Sequence, residues 1–185
     1  MEVIEMVRRF RAILTITVIT VLIGSQALFA SSSLAARVTL TVRGGPLGFA
    51  FEKQPQLAPI DMTGLDQESS GTLGLIDLRD ARGTGAGWQL TAQASDFVSR
   101  DDSNHTIPTT GFNISAAAPV TTIAGNAAPQ SFIGGLSLPL KLLEAEANTG
   151  MGHFQIEPPV TLNVPADVFA GTYDSTLTLT IISGP

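Results

Sequence analysis

The sequence contains no cysteine. That excludes thiol chemistry and a lipid-modified N-terminal cysteine, and it leaves an exported domain to stand on its core alone, which a chain of this size can do. Aromatic side chains are scarce, with one tryptophan and one tyrosine, a poor platform for stacking on sugars. The two histidines, His105 and His153, fall in different loop regions, and no nucleophile-elbow motif accompanies them, so the chain is not read as an enzyme. Basic residues are few as well. The formal net charge is −6, and an acidic chain without a basic cluster offers no electrostatic footprint for nucleic acid. There is no internal repeat, no linker and no long helical pattern.

What the sequence does have begins with a leader. Arg8, Arg9 and Arg11 precede an apolar stretch from Ala12 to about Ile23, followed by small residues. This is the order of a secretory signal peptide, with Ser33-x-Ala35 as a small-x-small cleavage site and Ala30 and Ala36 as alternatives. The rival is an uncleaved membrane anchor, for which the apolar run is at the lower edge of length. Residues 1–35 are therefore set aside as a signal peptide, and residues 36–185 are read as one domain. Removing the leader takes away three arginines and two glutamates, which moves the formal charge from −6 to −7.

The rest of the chain alternates with period two. Val38, Leu40 and Val42 are interleaved with Thr39, Thr41 and Arg43. Leu136, Leu138, Leu140 and Leu142 are interleaved with Ser137, Pro139 and Lys141. Val160, Leu162 and Val164 form a third set, and Tyr173 to Ile181 a fourth. Each pattern reads as a half-buried strand, and Pro139 places its strand at an edge or a bulge. Only "KLLEAEAN", Lys141 to Asn148, reads as one or two helical turns. The polar stretch Ser99–Thr110 is expected to be a mobile connection. Many short strands with dense Gly and Pro punctuation predict an all-β chain, a two-layer antiparallel β-sandwich.

The stretch "DLRDARGTGAGWQL", Asp77 to Leu90, carries Gly83, Gly85 and Gly87 before the single tryptophan. Dinucleotide binding would need G-x-G-x-x-G between a strand and a helix. Here the spacing is G-x-G-x-G, and "WQLTAQAS" alternates as a strand, so the run is read as a turn between strands, its glycines supplying positive φ. Trp88, Leu90, Ala92 and Ala94 share a face on which small alanines leave room for an indole. Trp88 is a core anchor on that reading and a sugar-stacking contact on the other. Asp101, Asp102, Asn104 and His105 could ligate a metal, but the spacing lacks the Gly and distal Glu of a calcium loop. They are read as a solvated loop, and no metal or cofactor is expected.

"DARGTGAGWQLTAQASDF", Asp80 to Phe97, resembles the first signature of the WxL domain of bacterial surface proteins: an Asp-x-Arg-Gly turn, then Gly-Trp-x-Leu and a strand. "AEANTGMGHFQI" and "VTLNVPADVFAGTYDSTLTLTI" resemble its later parts, and "RVTLTVRGGPLGF" is a looser match. In one place the chain departs from the pattern. The second Trp-x-Leu falls on Leu179-Thr180-Ile181, where the apolar pair survives without the tryptophan.

The resemblance implies a secreted, non-catalytic module held on the cell surface by non-covalent binding to peptidoglycan or an associated wall polymer, beside other surface proteins. A membrane enters only if the leader is uncleaved. The alternative is a structural or assembly subunit that binds other surface proteins by edge-strand addition. The motif residues Trp88, Leu90, Leu179 and Ile181 are then core or ligand contacts. Asp80 and Arg82, flanking the glycine turn, are either an ion pair holding it or wall contacts, with Arg82 donating to a glycan or wall carboxylate.

Overall fold

The computed structural model describes residue 37 and residues 39–184. The proposed signal peptide, residues 1–35, lies outside the described residues. The chain divides at Thr41/Val42, and the second unit carries the fold.

Among the described residues sixteen strands follow one another. They are β1 (Leu47–Phe51), β2 (Gln56–Leu57), β3 (Gln67–Thr72), β4 (Ile76–Asp80), β5 (Trp88–Ala94), β6 (Phe97–Ser99), β7 (Thr106–Ile107) and β8 (Phe112–Ile114), then β9 (Thr121–Gly125), β10 (Gln130–Ser131), β11 (Gly134–Gly135), β12 (Leu140–Ala145), β13 (Gly152–Ile156), β14 (Pro159–Val164), β15 (Tyr173–Asp174) and β16 (Leu177–Ser183). A 3-10 turn, Thr109–Gly111, is the only helical element among the described residues. Every ladder is antiparallel. The sheet orders are β1-β4-β13-β9, β10-β12-β5-β16, β11-β8-β14-β3-β2 and β15-β6-β7. Their inward faces meet in one apolar core, and the architecture is an all-β sandwich.

The period-two patterns locate the core strands correctly. Trp88, Leu90, Ala92 and Ala94 all point inward from β5, as do Val160, Leu162 and Val164 from β14. Elsewhere tertiary pairing overrides the local signal. Of the expected strand through Val38, Leu40 and Val42, Val38 lies outside the described residues, and no strand forms across Leu40 and Val42. Residues 39–46 have no ladder partner, and both side chains are 83% exposed, since a lone strand gains nothing from alternation until a neighbour takes up its backbone. The helix-like "KLLEAEAN" is strand β12 as far as Ala145. A bulge between Lys141 and Leu143 in its pairing with β5 lets Leu142 and Leu143 both be buried, which explains the non-alternating pattern. Leu136 is buried ahead of that strand, whereas Leu138 lies exposed in the approach to it. The run from Tyr173 to Ile181 is cut in two, with β15 pairing to β6 and β16 to β5.

Two further expectations change. Within Ser99–Thr110 the chain turns back in a hairpin between β6 and β7, with Phe97 opposite Ile107. His153 lies within β13, not in a loop.

Candidate functional site

The glycine run connects β4 in one sheet to β5 in another. Gly83, Gly85 and Gly87 all take positive φ, between 66° and 72°. The loop is fastened by its own flanks. Asp80 closes β4 with its carboxylate buried, and its two oxygens accept from Nε and Nη2 of Arg82, each at 2.9 Å. The Arg82 backbone N–H donates to the same carboxylate at 3.1 Å. Nη2 also donates to the Gly87 carbonyl at 2.8 Å, and Nη1 donates to Ser183 Oγ on β16. A guanidinium has five N–H donors, and four are spent inside the domain.

Electrostatics follow from this geometry. The Arg82 hydrogen bonds, outweighing burial, hold the Asp80 carboxyl below the usual carboxylate range. The same contact raises the Arg82 guanidinium above its ordinary value. The pair is a forked, charge-assisted clamp on the turn.

Trp88 starts β5 directly beneath the clamp and is fully buried. Its indole Nε1–H donates to the Gly150 carbonyl at 2.9 Å, satisfying the one polar group that burial would otherwise leave unpaired. Gly150 has φ +64°, and a side chain there would run into the Ala145 methyl and sit 2.9 Å from the indole nitrogen. The bare backbone is what lets the ring approach this loop closely. The loop is tied back in turn: Asn148 N–H donates to the Gly85 carbonyl at 2.8 Å, and Asn126 Nδ2 donates to the Asn148 carbonyl at 2.8 Å. Asp80, Arg82, the glycine run, Trp88 and "NTG" thus gather at one end of the sandwich.

The remaining motif residues stand one strand away. Ile181 of β16 faces Leu90 of β5, and Leu179 faces Ala92. Leu90 is fully buried, while Leu179 and Ile181 are half-buried on the last strand of their sheet. Leu179 is therefore not opposite Trp88; Ser183 is.

Residues 50–185 match the family model for the WxL domain, a surface cell wall-binding domain. The chain belongs to the WxL family. No curated protein matches it. The two motif positions of this WxL domain, Trp88-x-Leu90 and Leu179-x-Ile181, lie on paired strands, and its single tryptophan is part of the core.

Two features were not visible in the sequence. Away from the glycine loop, residues 57–60, Met62 and residues 168–173 enclose a cleft of about 380 Å³ with a floor that includes Phe97, Ile107 and Leu162. At its rim the Phe169 ring is stacked on His105, centroids 3.7 Å apart, and stays 61% exposed. Tyr173 O–H donates to the Phe169 carbonyl at 2.8 Å. The only hint in the sequence was the turn signal "PADVFAGT".

The second feature is a polar cluster on β4. Buried Asp77 meets His153 Nε2 at 2.5 Å, Arg79 Nε at 3.0 Å and Gln155 Nε2 at 3.1 Å. Burial alone would raise the Asp77 carboxyl, but these partners outweigh it and hold the value low. The acidic loop at Asp101–His105 is closed on itself, with Asp102 accepting from the Asn104 backbone and side chain at 2.9 and 2.8 Å.

Proposed function

We propose that this WxL domain, freed of residues 1–35 on export, attaches non-covalently and without catalysis to the peptidoglycan of the cell wall. The observation that carries the proposal is the family match over residues 50–185. The recognition surface assigned to it is the cleft rimmed by Phe169. Its apolar walls and exposed ring suit the C–H face of a sugar or the methyl groups of a wall peptide. In this reading Asp80 and Arg82 act mainly by shaping the loop, and the remaining Nη1 hydrogen of Arg82 is its one donor to a wall carboxylate. Trp88 and Leu90 support the site from the core.

An acidic chain gains nothing from bulk attraction to an anionic wall, so binding rests on short-range contacts. Co-sedimentation with protein-free peptidoglycan tests this. Sedimentation is expected to persist or strengthen from 0.1 M to 1 M salt, as the Debye length falls from about 10 Å to about 3 Å. Phe169→Ala is expected to weaken it about tenfold with the melting temperature unchanged, and the bound protein is expected to begin near residue 36. Absence of sedimentation at every salt concentration, or collapse as salt rises, would count against the proposal.

A further inference from the structure

The sheets end in strands that differ in how open they are to pairing. β2, β7, β10, β11 and β15 have two residues each. β9 is bulged where Ile123 drops out of register with β13. β16 is different. All seven of its residues pair with β5 in unbroken register. It contains no proline, and no charged residue occurs from Ser175 onward. Among the described residues it pairs with β5 alone; β1 passes within 8 Å of it but forms no ladder with it. Short strands, bulges and charges are the devices that blunt an edge, and β16 has none of them.

The direction of its backbone groups can be read from the ladder ends. Ser95 N–H donates to the Thr176 carbonyl, and Gly184 N–H donates to the Gly87 carbonyl. In an antiparallel pair, residues exchanging hydrogen bonds alternate with residues that do not. Thr178, Thr180 and Ile182 therefore direct N–H and C=O toward β5. Leu177, Leu179, Ile181 and Ser183 direct theirs away from it, along the open edge. The second motif pair, Leu179 and Ile181, supplies the centre of that row.

We infer that β16 is a self-association edge, joining β16 of a second copy in antiparallel register about a two-fold axis at Thr180. In that register Leu179 lies opposite Ile181 of the second copy and Leu177 opposite Ser183, so each outward-facing residue meets another and exchanges both hydrogen bonds. On the outer face Thr180 meets Thr180 and Thr178 meets Ile182, pairings that strands favour. On the inner face the half-buried Leu177, Leu179 and Ile181 gain cover from the same residues of the second copy. Charge permits this edge. Two copies of a chain at −6 repel wherever acidic groups face each other, and β16, like β1, carries none. An isologous contact closes on itself and yields a dimer, not a fibre.

The test is sedimentation velocity on the full chain with its native N terminus, from micromolar to submillimolar concentration, with amide exchange on the same samples. The expected result is a concentration-dependent dimer in which the Leu179 and Ile181 amides gain protection. The Thr178 and Thr180 amides, already bonded to β5, are protected in both states. Thr180→Lys and Thr180→Glu, at an exposed position, should each give a monomer with an unchanged melt, and mixing the two should restore the dimer. A protein that stays monomeric throughout overturns the inference and leaves the edge to a foreign strand. So does a dimer whose Leu179 and Ile181 amides still exchange as an open edge, or a pair of variants that fails to recombine. Wall binding is not part of the readout, so this result stands apart from the co-sedimentation result.

Discussion

Replacing Gly150 with alanine should unseat the tryptophan from a distance of one methyl group. Three costs act together. The backbone at Gly150 has φ +64°, a conformation that costs an L-residue about 1–2 kcal/mol. The new methyl would press on the Ala145 methyl and the Trp88 indole, both fully buried, and overpacking of this kind costs about 1–3 kcal/mol. Shifting the loop to relieve that pressure loosens the Trp88 Nε1 bond to the Gly150 carbonyl, worth about 1 kcal/mol. Together these amount to about 3–6 kcal/mol, a large share of the 5–15 kcal/mol that holds an ordinary domain folded. Gly83→Ala is the control. Its φ is +67°, but nothing lies within 4 Å of the position its methyl would take, so only the backbone cost of about 1–2 kcal/mol applies.

The assay is urea denaturation followed by tryptophan emission, for which Trp88 is the only source. Gly150→Ala should lower the midpoint far more than Gly83→Ala and should shift the native emission, whereas Gly83→Ala should leave that emission alone. Equal losses in the two variants, or a Gly150→Ala protein with wild-type emission, would refute the steric argument.

Native Trp88 emission should be blue-shifted and poorly quenched by iodide, and Trp88→Ala should cost about 3–5 kcal/mol by chemical denaturation. The acid limb of the stability curve should depend on Asp80. Its hydrogen bonds from Arg82 lower its folded-state value, so its contribution is complete above the unfolded carboxylate value near pH 3.9 and is lost as the pH falls through the lower folded value. Asp80→Asn should therefore be less stable at pH 7, by about 3–5 kcal/mol, with a shallower loss of stability below pH 4 in a thermal melt series. Asp77, also lowered, keeps part of that decline in place.

Alternation was a reliable guide where one face of a strand meets the core and the other meets water. Trp88 to Ala94 and Val160 to Val164 were legible for that reason. It failed where burial is not what makes the strand. β3, Gln67–Thr72, is polar along its length, and only Ser69 is fully buried, its hydroxyl donating to the Ala58 carbonyl at 2.6 Å. Its partner β14 recruits it through the backbone. β12 defeated the pattern in the opposite way, since its bulge changes the period in mid-strand. The glycine run was legible as a turn because positive φ leaves a compositional mark. The partners of that turn were not. Ser183 lies 101 residues from Arg82, and His153 lies 76 from Asp77. No local rule connects positions so far apart; the ladders that bring them together are a property of the whole fold.

The Arg82 loop also decides how the domain takes a load. The chain enters the fold beside this loop, where Gly45 N–H donates to the Ala81 carbonyl and Ala81 N–H to that of Pro46. It leaves beside the same loop, through Ser183 and through Gly184 N–H on the Gly87 carbonyl. Entrance and exit thus sit side by side. A pull applied between them is directed across the first and last strands, not along the sandwich. It would meet the Arg82 contacts first and then peel β16 from β5 one pair at a time. Such a fold yields by unzipping at modest force. For this fold the direction of tension is then as consequential as its size.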